Sequence, residues 1–150
     1  MQPRILLIVL FAAALCLPGC MSKAERERRW AARVDAALAI EAQGNPERAY
    51  QMIVGQAGAG DRRAAFEVGR MIEMGKARAQ LSAARRLELA SDWLVRAGLR
   101  DEPRAKLHLA IMFEQGRPGL AIDRARAQCL RQSANMQVSF ATCVRGWRRA

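Results

Sequence analysis

One spacing pattern recurs along this chain and limits its fold more than any other feature. Ala64, Phe66, Val68, Gly69, Ile72 and Gly75 return at the same offsets as Ala105, Leu107, Leu109, Ala110, Phe113 and Gly116. A looser copy lies upstream in Ala32, Val34, Ala36, Ala37, Ile40 and Gln43, with Gly44 one place late. A second pattern follows each of these. Ala90, Trp93 and Ala97 share their spacing with Ala127, Leu130 and Ala134, and Ala49, Met52 and Gln56 form a weaker copy. Apolar residues recur at helical intervals, and no segment of more than a few residues alternates with period two. The expected fold is therefore all-α: a short α-solenoid of about three helix–turn–helix repeats beginning near Ala32, Ala64 and Ala105. Small residues such as Gly69 and Ala110 let paired helices approach, and large ones such as Phe66, Ile72, Phe113, Trp93 and Leu130 fill the space between pairs. A single pair cannot bury its apolar face, so the units must stack.

Punctuation supports this division. Gly44-Asn45-Pro46, Gly58-Ala59-Gly60, Gly75, Gly98, Pro103 and Gly116-Arg117-Pro118-Gly119 separate segments of helix length. Asp61, Ser82, Asp101 and Asp123 stand where helices should start, and each can cap free amides. Met136, Phe140, Cys143 and Trp147 fall on one helical stripe, which predicts a C-terminal capping helix over the last unit.

The first 19 residues read as a leader to be set apart from the fold. Met1-Gln2-Pro3-Arg4 is a short basic start, and Ile5 to Leu17 is an apolar run too short to span a bilayer comfortably. It ends in Leu17-Pro18-Gly19-Cys20, which resembles the lipobox of bacterial lipoproteins: a branched apolar residue three before the cysteine and a small one just before it. Pro18 departs from the usual small residue. The resemblance implies a signal peptide over 1–19 and lipidation of Cys20; the charged stretch that follows reads as a lipidated tether over 20–29 that includes the start of a helix, and the repeat spacing gives a helical repeat domain over 30–150. The lipobox resemblance also implies the periplasmic face of the outer membrane, since Met21 is not an inner-membrane retention signal. In an exported chain Cys129 and Cys143 form an even pair expected to bridge; the alternative is two buried thiols acting as small apolar residues.

At the repeat positions the chain resembles the Sel1-like branch of tetratricopeptide solenoids. The match is good for Ala64 to Ala97 and for Ala105 to Ala134, and looser for Ala32 to Ala57. The stretch Lys76 to Ala84 is longer than the family's usual loop, and Ile72 and Phe113 stand where a tyrosine is usual. The resemblance implies an adaptor and no chemistry of its own.

The chain has 25 basic and 14 acidic residues and one histidine. Only Arg4 among the charged residues precedes Cys20, so the chain from Cys20 onward carries 24 basic against 14 acidic residues. That excess draws anionic surfaces or acidic proteins, and export disfavours nucleic acid. No Cys or His pair has metal-ligand spacing. The stretch Gly55 to Gly60 lacks the strand and the Gly-Lys-Ser/Thr ending of a phosphate loop and reads as an inter-helix connector. No cofactor is expected. Glu73 and Glu114 are repeat-equivalent, and a Cys129–His108 dyad is conceivable, so an enzyme or enzyme cofactor acting on the cell wall stands as the alternative function. The leading expectation is a lipid-anchored scaffold that holds an envelope protein with acidic groups. Its groove would be made by first-helix residues not needed for packing: Arg63, Glu67, Arg70, Glu73, Arg104, Lys106, His108, Glu114 and Gln115.

Overall fold

The computed structural model describes residues 21–117 and 120–147, and Cys20, the leader and the last three residues lie outside them. The described residues form α1 (Lys23–Ala42), α2 (Pro46–Gly58), α3 (Arg62–Glu73), α4 (Ala83–Gly98), α5 (Pro103–Gln115), α6 (Arg124–Ala134) and α7 (Phe140–Val144). They hold no strand, only an isolated bridge between Arg117 and Leu120. Each helix packs on the next along the chain, and α1 also touches α3. One apolar core runs through all of them, with Val34, Ile53, Val68, Ile72, Leu94, Leu109, Met112 and Leu130 fully buried.

Helix starts follow the sequence in three of four places. Asp61 accepts from the amides of Arg63 and Ala64, Ser82 from that of Arg85, and Asp123 from that of Arg126. The exception is Asp101. It has φ +59° and ends the turn after α4, and Glu102 takes the capping position of α5 without a side-chain cap bond. Asp101 instead accepts from Lys106 Nζ at 2.9 Å.

Helix ends follow one rule. After α1, α2, α3, α4 and α6 comes a residue of positive φ: Gly44, Gly60, Gly75, Asp101 and Met136. At each, that residue's amide bonds the carbonyl three back, and the next amide bonds the carbonyl five back. The left-handed residue reverses the chain and satisfies carbonyls that the helix end leaves open. The same bonds recur at the ends of α1 and α3. Gln43, Gly44 and Asn45 bond Ala39, Glu41 and Ile40 as Met74, Gly75 and Lys76 bond Arg70, Ile72 and Met71. The two helix ends are therefore 31 residues apart, not the 32 of the apolar spacing, and Gly44 ends α1 as Gly75 ends α3.

Two further expectations are corrected, and one helix start is located. Gly55 and Gly58 lie inside α2, so only the end of the glycine stretch is a connector. The helix start expected within the charged segment after Cys20 lies at Lys23, where Ser22 caps α1 through the amide of Glu25. The C-terminal stripe is not one helix. Met136 is 88% exposed in a left-handed turn, and helix resumes only from Phe140 to Val144. Phe140 and Cys143 still enter the core, and Trp147 meets Phe113 edge-on with centroids 5.0 Å apart.

Glycine works in two ways here. A Cβ at Gly69 would lie 2.9 Å from Leu94 Cγ and 3.1 Å from the Ala90 carbonyl, so α3 and α4 touch there because no side chain intervenes. Gly98, expected to punctuate, sits within α4, and a Cβ on it would lie 2.5 Å from the Phe140 ring.

Candidate functional site: an ion-paired face on the first helices

The expected groove residues lie on α3 and α5, and α1 adds acids that the sequence reading had not singled out. Arg63 pairs with Asp35 of α1. Arg70 pairs with Glu41 of α1 and, at 2.8 Å, with Glu67 of its own helix. Glu67 also accepts from Arg104 of α5 at 3.0 Å, and Arg104 reaches Glu102 at 2.7 Å. Glu73 lies 3.4 Å from His108 Nε2 and 3.2 Å from Arg117. Glu114 pairs with Arg131 of α6 at 2.6 Å. Alternating charges thus tie α1 to α3 and α3 to α5.

Aromatic contacts reinforce the second seam. Phe66 and His108 meet edge-to-face with centroids 6.1 Å apart, and the Arg104 guanidinium lies 4.6 Å above the Phe66 ring. Such a cation over a ring face is attracted by its quadrupole.

Burial separates structural from accessible members. The side chains of Glu67 and Glu41 are 5% and 8% exposed, whereas Arg104 is 44% exposed. Lys106, placed among the free groove residues by the sequence, is buried; its ammonium donates to Asp101 and to the Ser133 carbonyl. Arg70, also expected to be free, is held between two buried carboxylates. Gln115 is exposed.

The electrostatics follow from the contacts. Burial opposes ionisation of Glu41, but hydrogen bonds from Arg70 and Lys76, and their charges, outweigh it and hold the carboxyl below its usual range. For Glu73 the contact with the His108 imidazole is the largest effect and lowers the pKa; burial opposes it, and the charges of His108 and Arg117 add to the lowering. The Arg131 hydrogen bond lowers the Glu114 carboxyl as well.

The residues named for catalysis are held in structural contacts, Glu73 beside His108 among them. Glu73 and Glu114 have separate cationic partners. Cys129 on α6 is joined to Cys143 on α7, with Cα atoms 5.5 Å apart, so its sulfur is not a thiol facing His108. Among the described residues no group of three or more His, Cys, Asp or Glu side chains is placed to hold a metal ion, and no helix is long and apolar enough to cross a membrane.

The sequence reading missed Asp35, Glu41 and Arg117. A signal existed for Glu41: an acid stands two or three residues before the terminal glycine in each first helix, at Glu41, Glu73 and Glu114. Comparison with family models, with curated proteins and with solved structures finds no match to this chain.

Proposed function

We propose that this protein is a lipid-anchored interaction scaffold of the bacterial envelope, built as a short Sel1-like solenoid, that assembles or stabilises a larger envelope complex. The recurrence of one helix ending after five helices, with repeat-equivalent residues in the core, supports the solenoid. Ala64 and Ala105, Val68 and Leu109, and Ala90 and Ala127 are each fully buried. Leu107 differs from Phe66 in being 39% exposed, which leaves an apolar side chain at the outer edge of α5.

The functional part rests on the face of α1, α3 and α5. Its charges already have internal partners, so an acidic segment must compete for cations that can leave their pairs. Arg63 and Arg104, whose side chains are 34% and 44% exposed, are two that can do so. Charge reversal is unsuited to Arg70 and Arg104, because a carboxylate there would face buried Glu41 and Glu67, or Glu67 and Glu102.

The experiment is site-specific photocrosslinking in intact cells, with the crosslinker at Arg63, Arg104 or His108 and, as control, at the exposed Arg48. A defined adduct from the first three positions and not from Arg48, with the adduct from His108 lost on Arg63→Glu with Arg104→Gln, is the expected result. The adduct should also weaken with salt, since charges more than about 8 Å apart are screened at physiological ionic strength. Equal adducts from all four positions, insensitive to charge reversal, would remove this face from the proposal. The anchor is tested by intact mass: a mature chain beginning at Cys20 and carrying acyl mass is expected.

A further inference from the structure

We propose that the cleft between the N-terminal half of α1 and the α2–α3 turn holds the phosphate of an anionic phospholipid headgroup. The cleft has a volume of about 530 Å³, and Trp30, Arg62, Arg63 and Arg100 line it together with Glu27 and Asp61. Asp61 is engaged, and Glu27 is an exposed acid at the rim. Asp61 caps α3 and accepts from Gln56 Nε2, and Glu27 lies 4.0 Å from Lys23. Arg63 is paired with Asp35.

Arg62 and Arg100 are held differently. Arg62 Nη1 donates to the Asp101 carbonyl at 3.2 Å, with the Asp101 carboxylate near enough to feel its charge. Arg100 Nη1 donates to the Arg96 carbonyl at 3.3 Å. Both are exposed, and neither is in an ion pair with a carboxylate among the described residues. A guanidinium has five N–H donors, so each keeps a fork suited to two phosphate oxygens. The Arg100 guanidinium lies over Gly60 at the turn, at ordinary contact distance from where a Cβ would stand, 3.4 Å from its Nε.

The neighbouring surface selects a lipid as the source. From Lys23 to Arg33, α1 is exposed except for the half-buried Trp30. This stretch carries Lys23, Arg26, Arg28, Arg29 and Arg33 against Glu25 and Glu27, and Arg26 lies over the Trp30 ring at 5.6 Å. An indole amid basic residues suits the headgroup layer, where an amphipathic ring and cations are both favoured. The membrane side of the inference rests on the anchored reading above. Trp30 lies seven residues into α1, about 11 Å along its axis, and α1 begins three residues after Cys20.

The test is native mass spectrometry of the full processed chain in detergent, with phosphatidylglycerol, phosphatidylcholine or glycerol phosphate added. Retention of one phosphatidylglycerol per chain in preference to phosphatidylcholine is expected. Arg62→Gln with Arg100→Gln should reduce that retention at least tenfold, whereas the exposed pair Arg48→Gln with Arg124→Gln should preserve it. Equal retention of both lipids, no change in the Arg62 and Arg100 variant, or an equal loss in the control pair overturns the proposal. Binding of glycerol phosphate without lipid would mean that a free phosphate ester is the ligand, and would also overturn it. The same spectra report the acyl mass, so failure of the anchor is read separately from failure of the arginine site.

Discussion

At the scale of single residues, Arg70 and Arg63 look alike in sequence and differ in consequence. Arg63 joins Asp35 at a solvated edge, where a pair contributes about 0–1 kcal/mol, since the Asp35 side chain is 61% exposed. Arg70 is itself 20% exposed and serves two buried carboxylates. Removing it leaves Glu41 with Lys76 and Glu67 with Arg104, so the acids are depleted of donors and not abandoned. Arg70→Ala is expected to destabilise the protein by roughly 1–3 kcal/mol, the cost of under-satisfied buried polar groups, and Arg63→Ala by less than about 1 kcal/mol. Chemical denaturation of the two variants measures the difference; equal losses would mean that the α1–α3 seam does not depend on burial. Gly69 is the complementary case. It is defined by what is missing, because Leu94 and Ala90 of α4 occupy the space a side chain would need.

At the scale of elements, the helix ends carry the architecture. Three of the five left-handed stops are glycines, and two are Asp101 and Met136. An L-residue pays about 1–2 kcal/mol for that conformation, and Asp pays less than most because its short side chain bonds locally. Met136 is nearly fully exposed and contributes little packing. Met136→Gly is therefore expected to stabilise the protein by about 1 kcal/mol, visible as a raised unfolding midpoint. A lowered midpoint would mean that Met136 makes contacts its exposure does not suggest. The next element, α7, has only five residues. It cannot be stable by itself, and its place comes from Phe140 seated over Gly98 and from the covalent link between Cys143 and Cys129.

At the scale of the whole molecule, the ion-paired face makes stability depend on acid. Glu41 and Glu73 ionise more readily in the fold than in the unfolded chain, where 4.5 is the ordinary value. A carboxyl with a depressed folded pKa adds stability that is complete above its unfolded value and is lost as pH falls through the folded value. Stability should therefore hold at neutral pH and decline on acidification below about 4.5. Glu73→Gln should be less stable at neutral pH and show a shallower acid decline, followed by thermal unfolding across pH. A decline as steep as in the unaltered protein would assign acid sensitivity to other carboxylates.

The sequence by itself determined the helical class and the approximate bounds of six helices, because apolar spacing and glycine punctuation are local signals. The even pair of cysteines also pointed to the Cys129–Cys143 bond, and the sequence named most members of the charged face. Tertiary structure alone decided which of those charges are spent. Whether Arg70 is free or clamped depends on Glu41, which lies 29 residues away in the chain, and no local pattern encodes that distance. The same holds for Gly98, whose neighbour is a ring 42 positions later, and for Lys106, buried by the arrival of Ser133 and Phe140. The C-terminal stripe failed for the related reason that periodicity records which residues face inward and not whether one helix carries them. Phe140, Cys143 and Trp147 reach the core from a short helix and its flanking chain, and Met136 was left outside by the turn that α6 needed to end.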